Sequence, residues 1–127
     1  MNLLLDTHVA LWALSDPGRL GSDIQQLLID PVNAAYVSAA SVWEVEIKRA
    51  LGKLIAPDDF AVECLERGFD ELPIRFDHAA RAGALPLLHT DPFDRMLVAQ
   101  ALEEDLTVVS VDRAFGAYGV RMLEAGA

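Results

Sequence analysis

Four carboxylic acids occupy places in the chain where a carboxylate can do chemistry. Asp6 directly follows the apolar run Leu3-Leu4-Leu5, and Asp112 lies just past Thr107 to Val111. Glu44 sits early in the helical stretch after Ala35 to Ser38, and Asp94 falls in Asp91-Pro92-Phe93-Asp94. Two carboxylates about 4 Å apart repel by on the order of 4 kcal/mol at an effective dielectric near 20. Clustering four would raise their pKa values or open the site, unless a cation compensates. Mg²⁺ or Mn²⁺ is suited to this, because a hard ion takes oxygen ligands, retains waters and tolerates bridging to a phosphate.

Each acid also has a plainer reading. Asp6 and Asp112 are well placed to cap the segments that follow them. Glu44 can pair with Lys48 one helical turn on. Asp94 takes the third position of a helix, where an acid suits the dipole. Yet Asp91 already supplies the cap there, with Pro92 at the first helical position. Asp94, Leu97, Val98 and Ala101 also recur at i, i+3, i+4 and i+7, which puts this carboxylate on the inward stripe.

The elements that must position these acids alternate between strand and helix. Strands are predicted at Asn2 to Leu5, Ala35 to Ser38, Glu71 to Arg75, Thr107 to Val111 and Val120 to Leu123. Helices are predicted over Thr7 to Leu14, from Ser22 as cap through Leu28, over Ala40 to Leu51, from Pro57, over Asp77 to Leu85, and from Asp91 to Asp105. Trp43, Ile47, Ala50, Leu51 and Leu54 form the apolar stripe of the Ala40 to Leu51 helix, and Phe60, Cys64 and Leu65 turn inward from the next. The alternation implies an α/β fold with a mostly parallel sheet covered on both faces. Ligands of such sheets bind beyond the carboxyl ends of the strands, where Asp6 and Asp112 fall. The chain reads as one domain over residues 1–127.

Composition removes other classes. Twenty acids against ten bases give a net charge of −10, which argues against coating nucleic acid by charge alone. The single cysteine, Cys64, excludes an internal disulfide framework and fits a reducing, cytoplasmic setting; it reads as core. No apolar run reaches a membrane span, and Asp6 interrupts the N-terminal apolar run too early for a signal peptide. His8, His78 and His89 are scattered and read as structural. No phosphate-binding glycine loop or Gly-x-Ser-x-Gly elbow is present, and Asp6-Thr7-His8 lacks the Asp-x-Asp of metal-dependent phosphatases. A phosphoacceptor receiver would need a late lysine, and the last one here is Lys53.

Several segments, in order, carry a resemblance. They are Leu4-Leu5-Asp6-Thr7-His8, Ser41-Val42-Trp43-Glu44 with Ile47-Lys48 and Gly52-Lys53-Leu54, His89-Thr90-Asp91-Pro92-Phe93-Asp94-Arg95, Ala99-Gln100-Ala101, and Val109-Ser110-Val111-Asp112. Together they resemble the PIN-domain family, specifically the VapC-type toxins of toxin–antitoxin pairs. The resemblance implies a three-layer α/β/α fold with a five-stranded sheet. It also implies an Mg²⁺-dependent endoribonuclease (Mn²⁺ remaining open) with Asp6, Glu44, Asp94 and Asp112 as its acidic quartet. Asp6, Asp94 and Asp112 would hold the ion, with Glu44 helping directly or through water. Ser110 matches the family's small hydroxyl residue, and Thr7 is expected to support Asp6. Lys48, Arg49, Arg95 and Arg113 are candidates to guide RNA. The implied partners are RNA, a cognate antitoxin of VapB type and a second copy of the chain, with no membrane. The competing expectation is a non-catalytic PIN-like interaction module with a structural cation site.

Overall fold

A computed structural model describes residues 1–127. Its strands are β1 (Asn2–Leu5), β2 (Ala34–Ser38), β3 (Asp70–Leu72), β4 (Thr107–Ser110) and β5 (Met122–Glu124). Its helices are α1 (Thr7–Ser15), α2 (Ser22–Ile29), α3 (Ala39–Ala50), α4 (Phe60–Glu66), α5 (Phe76–Ala84) and α6 (Pro92–Glu104). Short 3₁₀ helices at Pro17–Arg19 and Arg113–Tyr118 complete it. The strand order is β3-β2-β1-β4-β5, and all four pairings are parallel. None of the helices is long and apolar enough to cross a membrane.

Alternation along β1 divides the core. Leu3 and Leu5 pack with Val9, Leu11, Val45 and Phe60 on one face, while Leu4 packs with Leu97, Val98, Leu106 and Phe115 on the other. The chain builds outward from β1 through β2 to β3, then returns to place β4 on the opposite side of β1. The order therefore reverses between β1 and β4, where a parallel sheet opens its crevice. The register Leu5↔Val109 brings the ends of these two strands level.

Several local expectations change. The buried face of α3 is Ala40, Ser41, Glu44 and Val45. Trp43 and Leu51, expected inward, are each 62% exposed. The helix is turned to bury a serine and a glutamate, so its apolar stripe looks largely outward. α4 begins at Phe60, not Pro57, whose carbonyl instead accepts the Arg49 guanidinium at 2.5 Å. Leu65 on that helix is exposed, whereas Phe60 and Cys64 are buried as expected. Ser22 is the first residue of α2, after Gly21 at the cap. β3 ends at Leu72, before Pro73, which has no N–H to continue the ladder.

His78 is structural, as the sequence suggests. It is fully buried; its Nδ1 accepts the Arg75 N–H at 3.1 Å, and its Nε2–H donates to Glu104 Oε1 at 2.8 Å.

Candidate active site

The site starts from the ends of β1 and β4. The Asp6 N–H donates to Val109 O at 3.0 Å, continuing the β1–β4 ladder past the last strand residue. Asp6 stands at the cap position of α1, yet its side chain makes no capping bond. Its carboxylate instead accepts the Ser110 hydroxyl at Oδ2, 2.5 Å away, and Ser110 Oγ accepts the Asp112 N–H at 2.9 Å. One fully buried serine thus ties two of the acids together across 104 residues of chain. Burial pushes the Asp6 carboxyl above its ordinary 3.8, against the lowering pull of the Ser110 bond.

Asp112 uses its two oxygens differently. Its Oδ1 accepts the Ala114 N–H at 2.9 Å, capping the following turn, while Oδ2 lies 3.5 Å from His89 Nε2. Asp94 is relieved of capping because Asp91 Oδ1 accepts the N–H groups of Phe93 (2.8 Å) and Asp94 (3.3 Å). The freed Asp94 Oδ2 lies 3.1 Å from the same histidine nitrogen. Burial, then the negative charge of Asp91, Asp6 and Glu44, pushes the Asp94 carboxyl up to about 7. That mutual repulsion indicates that acids remote in sequence share one field.

Glu44, 4% exposed, is held by α1 and by its own helix. Thr7 donates its hydroxyl proton to Glu44 Oε1 at 2.7 Å, and Lys48 Nζ lies 2.7 Å from Oε2. Thr7 has one proton to give, so the Ser41 hydroxyl 2.9 Å away is the donor in their contact. Thr7 therefore supports Glu44 rather than Asp6. Lys48 is held above its usual pKa, first by this hydrogen bond with Glu44.

The basic residues divide. Lys48 faces the acids, and Arg113 is exposed with no ionic partner. Arg49 pairs with Glu46 and with Pro57 O. Arg95 adjoins Asp94 in sequence but donates to the carbonyls of Ala82, Leu85, Pro86 and His89. Its guanidinium is committed to ordering the loop after α5, not to the groove.

That loop carries the residue which sequence reasoning set aside. His89 Nδ1 accepts the Asp91 N–H at 3.1 Å, so the ring proton lies on Nε2 and points to Asp94 and Asp112. The Tyr118 hydroxyl fixes the segment from the other side by accepting the His89 N–H at 2.8 Å. Two signals were available: His89 opens the segment through Arg95 that carries the family resemblance, and it stands two residues before the capping Asp91.

Ligand atoms of His89, Asp94 and Asp112 lie within 4.8 Å of one another. A histidine that accepts at Nδ1 and carries its proton on Nε2 has no lone pair to give an ion. The remaining donors are all carboxylate oxygens, and their repulsion is what a cation would relieve. The donor set fits a hard divalent ion.

A profile of the PIN domain family matches residues 3–120. The chain belongs to the PIN-domain family. Solved structures similar to this PIN domain share its architecture over nearly the whole length. A chain of VapBC2 from Rickettsia felis, bound to a DNA fragment from the pair's promoter, is 15% identical with a TM-score of 0.73; the match covers 98% of this chain and 99% of that one. A chain of DNA-bound VapBC from Salmonella typhimurium is 19% identical, TM-score 0.71, with 97% of each chain covered. A chain of FitAcB from Neisseria gonorrhoeae is 25% identical, TM-score 0.62, with 96% of each covered. A search of curated proteins gives no significant match.

Proposed function

We propose that this PIN domain is a divalent-cation-dependent endoribonuclease, the toxin half of a VapBC-type toxin–antitoxin pair acting in the cytoplasm. The reading is carried by one observation: Ser110 and His89 join Asp6, Asp112 and Asp94 at the β1–β4 crevice, and the charge of Glu44 is felt at both Asp6 and Asp94. The fold shared with chains of VapBC complexes supports the choice within the family.

In this reading Asp6, Asp94 and Asp112 hold Mg²⁺ or Mn²⁺. The bound ion supplies activation of water and compensates charge on the phosphate. Ser110 sets the angle of Asp6 through its hydroxyl. His89 donates to the Asp94 and Asp112 oxygens that face it, which fixes how both carboxylates would be presented to the ion. Glu44, its charge offset by Lys48 and its position set by Thr7, closes the pocket on the α3 side. Hydrolysis leaves a 5′-phosphate and a 3′-hydroxyl, by analogy with the family. The partners are RNA, an antitoxin of VapB type that covers the acidic groove, and a second copy of the chain.

The test is incubation of the purified chain with total RNA, with and without Mg²⁺, followed by mapping of the cut ends. Cleavage that needs the ion and is absent from Asp94→Asn supports the reading. Intact RNA under all conditions refutes it and leaves the non-catalytic interaction module as the better description.

A further inference from the structure

Two of the four acids are preceded by an aromatic residue, and the two rings meet. Trp43 precedes Glu44 on α3, and Phe93 precedes Asp94 on α6. Their centroids are 5.5 Å apart and their planes 74° from parallel, an edge-to-face pair. Phe93 is half-buried at the start of α6, its N–H fixed by Asp91. Trp43 keeps 62% of its surface in water despite that contact. Neighbouring helix positions point about 100° apart. An indole next to the inward Glu44 therefore stands on the rim of the carboxylate pocket, not inside it.

The charge on the molecule makes this rim consequential. Affinity for nucleic acid ordinarily comes from Lys and Arg on phosphates, but this chain carries −10. Most of the bases around the pocket are already engaged: Lys48 with Glu44, Arg49 with Glu46, Arg95 with backbone carbonyls. Of these, Arg113 alone lacks a partner. A pocket rim with so few free cations needs another source of affinity for a polyanion. Stacking of an unpaired base on an aromatic ring supplies one that is tolerant of sequence and independent of net charge.

We propose that Trp43, braced by Phe93, is a stacking platform for an unpaired base of single-stranded RNA flanking the phosphate held at the carboxylates. This rests on the nuclease reading for the identity of the polymer. It adds a preference that the carboxylates do not confer, because paired bases present no free face to the indole.

The experiment measures binding of a fluorescein-labelled 12-nucleotide single-stranded RNA to the full chain in Ca²⁺, by anisotropy and by tryptophan emission, with an RNA duplex of the same length in parallel. Wild type is expected to bind the single strand with quenching of emission. Trp43→Ala weakens that binding about tenfold and removes the RNA-dependent quenching, since Trp12 does not report it. Trp43→Phe restores most of the affinity, and duplex binding is the same in all three. Trp43→Ala binding the single strand as tightly as wild type overturns the platform. So does a loss of dimer mass in light scattering with RNA affinity unchanged, which makes Trp43 a contact between copies. The two readings fail separately. Wild type that cleaves RNA in Mg²⁺ while Trp43→Ala keeps its KM removes the platform alone. Wild type that never cleaves but loses RNA affinity on Trp43→Ala removes the nuclease alone.

Discussion

Replacing Asp94 by Asn should make the metal-free protein more stable while ending RNA cleavage. The Asp94 side chain is 17% exposed and its carboxyl is pushed from 3.8 up to about 7, first by burial and then by Asp91, Asp6 and Glu44. A carboxyl raised in the folded state opposes folding once pH exceeds its unfolded pKa. The penalty grows between about pH 4 and pH 7 and is constant above. A shift of roughly three units at 1.36 kcal/mol each gives about 4 kcal/mol at pH 8, falling to about 2 kcal/mol at pH 5.5. Asn keeps an oxygen to accept the His89 Nε2–H and carries no charge. Asp94→Asn in EDTA at pH 8 should therefore unfold about 2–4 kcal/mol later in urea than wild type, or roughly 8–15 °C higher on heating. Mg²⁺ should narrow the gap by stabilising wild type alone. If the two proteins melt together at pH 8, or differ equally at pH 5.5 and pH 8, Asp94 is not held against its charge and the account of a strained carboxylate cluster is wrong.

Three other substitutions or probes follow from the same contacts. Ser110→Ala removes the donor to Asp6 and the acceptor for the Asp112 N–H, and should cost about 1.5–3 kcal/mol in urea unfolding together with a fall in RNA cleavage. Arg95→Ala should release the segment from Pro86 to His89, seen as faster hydrogen exchange there. Arg95→Lys should not restore protection, because one ammonium cannot reproduce a guanidinium that spans four carbonyls. Burial pushes the Cys64 thiol up to about 11, so it should resist a disulfide reagent at pH 8 and react at once in denaturant.

The order of elements was legible because the three central strands, β2, β1 and β4, are short, largely apolar runs and the helices have their own period. Boundaries moved by a few residues at several ends, and at Pro73 backbone chemistry gives the reason, since it cuts β3 short. Asp91-Pro92 announced the start of α6 correctly, since a cap and a first-turn proline are local signals. The face of α3 was misread for a different reason. That helix has an apolar stripe and a polar one, and periodicity alone does not say which meets the core. Arg95 and Thr7 were misassigned because neighbours in sequence on a helix diverge in space, so Arg95 reaches backwards over α5 and Thr7 reaches Glu44, 37 positions away. His89 lies in a loop with no period to betray its direction, and its role depends on a hydrogen bond accepted from the Asp91 N–H and one donated to the Tyr118 hydroxyl, which only the folded chain displays.

The serine that links β4 to the end of β1 also sets the order in which the acidic pocket is assembled. Asp6 leaves the ribosome 104 residues ahead of Ser110, so β1 must wait for β4 before the serine can dock beside it. Any transcript that ends prematurely ahead of β4 yields a polypeptide with half a pocket. Synthesis of β4 is thus the step that completes the pocket.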